Sequence, residues 1–150
     1  MRPSFPGMTV LAVVVALSTT ATAHHSSGLY FDSTKTITLE GEILRVEWIN
    51  PHILLFIQSK SDKGEPETWV LQGMALNNAV RRVGLKERLQ PGISISARAH
   101  PPRNSVFLND ALTVLLTRSD DPRTSSRIVE AGQIRFPDGE VQAFGGGPAF

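Results

Sequence analysis

From Thr36 onward the chain alternates. Ile37, Leu39, Gly41 and Ile43 face one way and Thr38, Glu40 and Glu42 the other, the period of a half-buried strand. The phase then slips by one, so that Leu44, Val46 and Trp48 carry the apolar face and Arg45 and Glu47 the polar one. A one-residue slip is the mark of a β-bulge, which bends the strand that contains it, and Gly41 just ahead eases that bend. A long, bent first strand is expected. Ile49-Asn50-Pro51 ends it. Ile53 to Ile57 is apolar at both parities, as in a strand covered on two sides. Ser59 to Pro66, with Asp62-Lys63-Gly64 inside it, reads as a hairpin turn, and Glu67 to Gln72 returns as a third strand carrying Trp69 and Leu71.

The period then becomes helical. Leu76, Ala79, Val80 and Val83 fall at i, i+3, i+4 and i+7 with Arg81 and Arg82 opposite, and Gly84 follows as a stop, which predicts a helix of two to three turns. After the turn Pro91-Gly92, a fourth strand points Ile93, Ile95, Ala97 and Ala99 inward and Ser94, Ser96, Arg98 and His100 outward. Pro101-Pro102 ends it. A fifth strand is expected around Val106 to Thr117, with Leu112, Val114 and Leu116 on one face. This order, β-β-β-α-β-β with a bent first strand, is that of the OB-fold, a small mainly β five-stranded barrel; the competing arrangement is a curled sheet with an incidental helix. Residues 119–150 read as a loosely attached tail. Within it Pro137-Asp138-Gly139 turns a weak hairpin between Ile134/Phe136 and Val141, and Gly145-Gly146-Gly147 reads as a flexible end.

Ahead of the alternating pattern the chain has a different organisation. Arg2 is the one charge before position 24, Met8 to Leu17 is a short apolar run, and Ala21-Thr22-Ala23 is a small-residue site. Positive start, apolar core and A-x-A make a cleavable export signal, and the run is about half the ~20 residues that a membrane span requires. Cleavage after Ala23 is expected, which assigns residues 1–23 to the leader, 24–118 to the β domain and 119–150 to the tail. It places the mature protein in the periplasm or outside the cell, with no membrane span. Segment 24–35 is polar except for Leu29-Tyr30-Phe31, which are expected to pin it across the domain.

Composition narrows the function. Loss of Arg2 leaves 14 basic side chains against 14 acidic ones, so the basic excess that drives nucleic-acid or anionic-lipid binding is missing. The absence of cysteine excludes disulfides, thiolate metal sites and a cysteine nucleophile.

His24-His25-Ser26, Phe31-Asp32, Leu39-Glu40-Gly41, Trp48-Ile49-Asn50-Pro51-His52, Arg82-Val83-Gly84 through Leu89-Gln90-Pro91-Gly92, and His100-Pro101 together resemble a family of small exported bacterial proteins, domain of unknown function 6152. The resemblance covers roughly residues 24–117. It implies export and a compact β domain, and brings no activity.

The four histidines are His24, His25, His52 and His100, all in the mature part. Cleavage would give His24 a free α-amine beside its imidazole, two nitrogens that chelate one ion, with His25 as a further donor. Such nitrogen-rich, cysteine-free donors suit Cu(II), then Ni(II) or Zn(II). His52, at the corner bordering the binding face of an OB-fold, or His100, on the outward parity of the fourth strand, would complete a brace, with Glu47 or Asp110 adding an oxygen. The plainer reading leaves His24 and His25 solvated, His52 bonded to a backbone carbonyl and His100 on the surface. A second functional class is a non-metal module that binds a peptide, a glycan or an envelope protein at Trp48, Asn50 and His52, and a third is docking through the Phe107 strand edge or the tail. Catalysis has little support. Ser, His and Asp occur without a G-x-S-x-G signature, Glu40/Glu42 and Arg81-Arg82 read as solvated faces, and Trp48, Trp69 and Phe56 fit core packing better than a stacking platform.

Overall fold

The computed structural model describes Gly28, residues 30–103 and residues 127–150. Six strands and two single helical turns follow one another: β1 (Ile37–Glu47), β2 (His52–Lys60), β3 (Pro66–Ala75), α1 (Leu76–Ala79), α2 (Leu85–Arg88), β4 (Ser94–His100), β5 (Ile128–Arg135) and β6 (Val141–Ala143). The sheet order is β3-β2-β1-β4-β5-β6, and a parallel pairing of Val70–Gln72 with Ile128–Glu130 joins β3 to β5. That pairing closes a five-stranded barrel of the expected OB-like topology, with β6 appended to β5.

The bend predicted in the first strand is present. Residues 37–42 of β1 pair with β4 and residues 42–47 with β2, and the register slips between Ile43 and Arg45. Leu44 is itself the bulged residue and is 37% exposed, so it leaves the apolar face assigned to it, while Val46 and Trp48 pack on the core. The inner parity of every barrel strand feeds one cluster that includes Leu39, Ile43, Ile57, Leu71, Ala97 and Ile134. The double-sided apolar run also holds. Leu54 and Phe56, on the outer parity of β2, join Val70, Ile128 and Phe31 in a second buried cluster edged by Tyr30 and Ile49. Residues 30–32 are therefore pinned across the outside of the barrel, as expected of Tyr30 and Phe31; Leu29, expected with them, lies outside the described residues.

The expected helix is shorter than its periodicity. The chain leaves α1 at Val80, and Gly84, with φ of 78°, takes the left-handed conformation before α2 begins. Of the expected apolar face, Ala79 is buried and Leu76 packs on the core, while Val80 and Val83 are 64% and 98% exposed; Leu85 and Leu89 supply the further core contacts. Any i, i+4 pair can anchor a single turn, and this one lies beside the barrel.

The larger correction concerns the tail. Residues 128–135 form the strand that closes the barrel, buried at nearly every position, and the expected hairpin at Pro137-Asp138-Gly139 links it to β6. The glycine run is a packing device and not a flexible end. A Cβ on Gly147 would lie 2.3 Å from the Glu130 carbonyl oxygen, and one on Gly145 2.3 Å from that of Ala131. Backbone lies directly on backbone there, an approach that a side chain prevents. The expected leader (1–23), the strand expected at 106–117 and Phe107 lie outside the described residues. No helix among the described residues is long and apolar enough to cross a membrane.

Candidate functional site

His52 and His100 sit at strand ends and use the same ring atom. His52 Nδ1 is 3.0 Å from the Gly73 carbonyl oxygen and His100 Nδ1 is 2.7 Å from that of Lys35. A carbonyl can only accept, so each Nδ1 carries a proton and each neutral ring keeps its lone pair on Nε2. This is the tautomer, and the backbone bond, typical of a metal-ligating histidine. The same bond also satisfies the plainer reading, in which His52 fixes the corner made by Trp48–Pro51.

The two rings do not share a site by themselves. His100 pairs with Glu130, Glu130 with Gln72 and Gln72 with Leu54. Three strand spacings, about 14 Å along the sheet, and two further residues of β2 thus separate His100 from His52. Among the described residues no three His, Asp or Glu side chains come together as a metal-binding group. His24, His25 and Asp110 lie outside those residues. Glu47 is engaged otherwise: its carboxylate pairs with Arg45 Nε at 3.2 Å.

The amino-terminal segment is stitched to the exit of β4. Phe31 bridges to Pro102, the Asp32 amide donates to the Pro101 carbonyl at 2.8 Å, and Arg103 Nε donates to the Gly28 carbonyl at 2.7 Å. Pro102 is two residues from His100, so this stitch brings the start of the domain to one of the two imidazoles.

The ligand-face candidates have different fates. Trp48 is half-buried against the barrel core, Asn50 is exposed, and the neighbouring outer face of β2 and β3, where OB-folds bind oligomers, is filled by Phe31, which is 1% exposed. Phe56 lies under the Arg45 guanidinium at 3.5 Å, and Trp69 Nε1 donates to Glu67 Oε1 at 2.7 Å. The Phe56 face is thus covered, whereas the Trp69 bond engages only the edge of its ring. Along the first half of β1 runs an open groove of about 1290 Å³, walled by Glu40, Glu42, Lys60, Trp69, Ser96 and Arg135.

Two buried polar side chains escaped the sequence reading, Gln72 (8% exposed) and Glu130 (9% exposed). The signal available for them was slight. Gln72 ends a strand pattern, and Glu130 stands between Val129 and Ala131 in a stretch that composition assigns to a tail.

A family profile matches residues 12–108, about two thirds of the chain. The chain belongs to DUF6152, a family of unknown function. The match begins within the apolar run near the start and stops short of β5 and β6. No curated protein and no solved structure matches the chain.

Proposed function

We propose that this DUF6152 member is an exported, periplasmic metal-binding module that holds copper, or zinc or nickel in its place, through the α-amine and imidazole of a mature terminal His24. His100 is the favoured partner among the described residues. The observation that carries this reading is the Lys35 carbonyl on His100 Nδ1, which leaves Nε2 as a directed lone pair beside the point where the amino-terminal segment is fastened. Four Cα–Cα steps lead from His24 to Gly28, a tether that reaches at most ~14 Å. Two nitrogens from His24 and one from His100 are a donor set suited to Cu(II) by ligand type and affinity order. His52, three strands away, stands as the structural histidine of the pair. On this reading the module is a binder and not an enzyme.

The test is titration of Cu(II) into the exported, processed protein and into a form bearing one extra residue before His24. The extension replaces the amine by an amide and should weaken binding by at least about tenfold, the scale on which even indirect ligand partners act. Equal affinities remove the terminal amine from the site. Mass spectrometry of the envelope protein supplies the prior check: a first residue other than His24 ends the proposal.

A further inference from the structure

The antiparallel ladder fixes which way the main chain of β1 points. Ile43 donates its amide to the Ile93 carbonyl at 2.9 Å and accepts the Gly92 amide at 2.8 Å, so its main-chain groups face β4. In an antiparallel pair that direction alternates residue by residue, and residues 37–42 pair with β4 in unbroken register. Ile37, Leu39 and Gly41 therefore bond to β4, while Thr38, Glu40 and Glu42 turn their N–H and C=O to the opposite edge. Glu42 meets Gln58 of β2 there, and the β1–β2 pairing begins only at that residue. At Thr38 and Glu40 no strand among the described residues takes the edge. Lys60 faces the same gap from β2. The Ser61 amide donates to the Glu65 carbonyl at 2.8 Å, towards β3, so the main chain of Lys60 points away from β3.

Both edges line the open groove beside β1. An exposed strand edge is a template for another chain, and the lining says of what kind. The groove carries four carboxylates, Glu40, Glu42, Asp62 and Glu67, against two cations, Lys60 and Arg135. Glu67 is paired with Arg127 at 3.3 Å, whereas Glu40 and Glu42 stand exposed at the edge itself. On the inner parity the groove meets Leu39 and the half-buried Trp69, whose ring is bonded only at its Nε1 edge.

We infer that the free edge of β1 at Thr38 and Glu40 takes up an extended peptide as an added strand, one whose residues alternate basic and apolar. A strand laid along this edge sets every second side chain on the outer face beside Glu40 and Glu42, and the others against Leu39 and Trp69. Main-chain bonds supply the affinity and the alternation supplies the specificity. A second copy of the chain fits poorly, because pairing β1 with β1 gathers the glutamates of both copies on one face, where like charges repel. The inference is independent of the metal-binding proposal, since no histidine lines the groove.

Purified protein is titrated, by fluorescence anisotropy, with a labelled hexapeptide of alternating Lys and Val, with its block isomer Lys-Lys-Lys-Val-Val-Val, and with an alternating Glu and Val peptide. Saturable binding of the first alone, weakening with salt, is the expected result. Thr38→Pro removes an N–H that faces away from β4, a position at which an edge strand tolerates proline. It should weaken binding by at least about fivefold, the share of one hydrogen bond, at unchanged Tm. Should that variant lose Tm, methylation of the peptide's own amides tests the same bonds: of two peptides methylated at alternate parities, at least one must fail to bind. Glu40→Gln combined with Glu42→Gln should weaken binding and flatten its salt dependence. Equal binding of the block isomer overturns the inference, as do indifference to both methylated sets and absence of binding by the parent. A dimer in sedimentation that Thr38→Pro dissolves would give the edge to a second copy and overturn it too.

Discussion

The inside of the barrel and the outer face of β2, β3 and β5 are buried to similar degrees and built on different plans. The inside is apolar throughout. Leu55, Ile57, Leu71 and Ile134 have no exposed surface, and small Ala97, Ala99 and Ala131 fill the places where strands approach most closely. The outer face begins as an apolar layer, Leu54, Phe56, Val70 and Ile128 under Phe31, and then turns polar along the row Gln72, Glu130 and His100. An apolar lining requires only the right volume, whereas a polar group near the rim must keep water or a partner. The difference separates a layer that packs from a row that borders it.

The sharpest way to break this comparison is to remove the roof. Phe31 reaches the outer layer from a segment that precedes β1, held by its bridge to Pro102 and by the Arg103 bond to its carbonyl. If the layer is a second core, Phe31→Ala should cost about 3–5 kcal/mol, in the range of an interior Leu55→Ala at about 2–5 kcal/mol. Urea unfolding of both variants measures it through the midpoint at constant slope. A loss for Phe31→Ala below about 1 kcal/mol would mark the outer layer as a veneer.

The same contrast explains which parts of the fold were legible beforehand. Alternation reports burial of one face, so β1, β4 and the bulge after Ile43 stood out, and the apolar run 53–57 announced a strand with two covered sides. Burial against backbone leaves no such trace. β5 reads Ile-Val-Glu-Ala-Gly-Gln-Ile-Arg, with a glycine where the chain end packs and a carboxyl where the polar row passes, and both interrupt the pattern that identifies a strand. The helical period of Leu76 to Val83 misled for a related reason. Periodicity shows that a face is possible, and only the barrel decides that it covers Leu76 and Ala79, then Leu85 and Leu89, and leaves Val80 and Val83 outside. Of the candidate site, the histidines were visible as residues, and the outward parity of His100 was visible as a position. Glu130 was not, because its pairing with His100 spans a connection of unknown path.

The rim where α2 meets the β5–β6 hairpin is a third kind of region, held by charge. Arg88 lies 4.1 Å over the Phe136 ring, donates to both oxygens of Asp138 at 2.8 and 2.7 Å, and also bonds Glu140. The amide of Glu140, then the guanidinium, hold the Asp138 carboxyl below its ordinary value. A carboxyl lowered in the folded state adds stability at pH above its unfolded value, and that contribution disappears as the pH falls through the folded one. Arg88→Met should therefore lower Tm by a few degrees at neutral pH, less than either core truncation. The gap between variant and parent should close in acid below the ordinary carboxylate range and narrow in high salt. A gap that stays constant with pH would make Arg88 a packing residue whose charge is incidental.

The smallest expected effect bears most directly on the division of the outer face. Gln72 lies between Leu54 and Glu130 on the neighbouring strands and is 8% exposed. Leu has nearly the volume of Gln, and its own neighbour across the strands on one side is a leucine. Gln72→Leu extends the apolar layer by one place and removes a desolvated amide, so stability should change by no more than about 1 kcal/mol, in the direction of a gain. Thermal unfolding of the metal-free protein reads the sign. A clear loss would mean that the amide has a partner essential to the fold. A neutral or stabilising result would mean that the amide contributes nothing to folding and that the apolar layer can extend by one place.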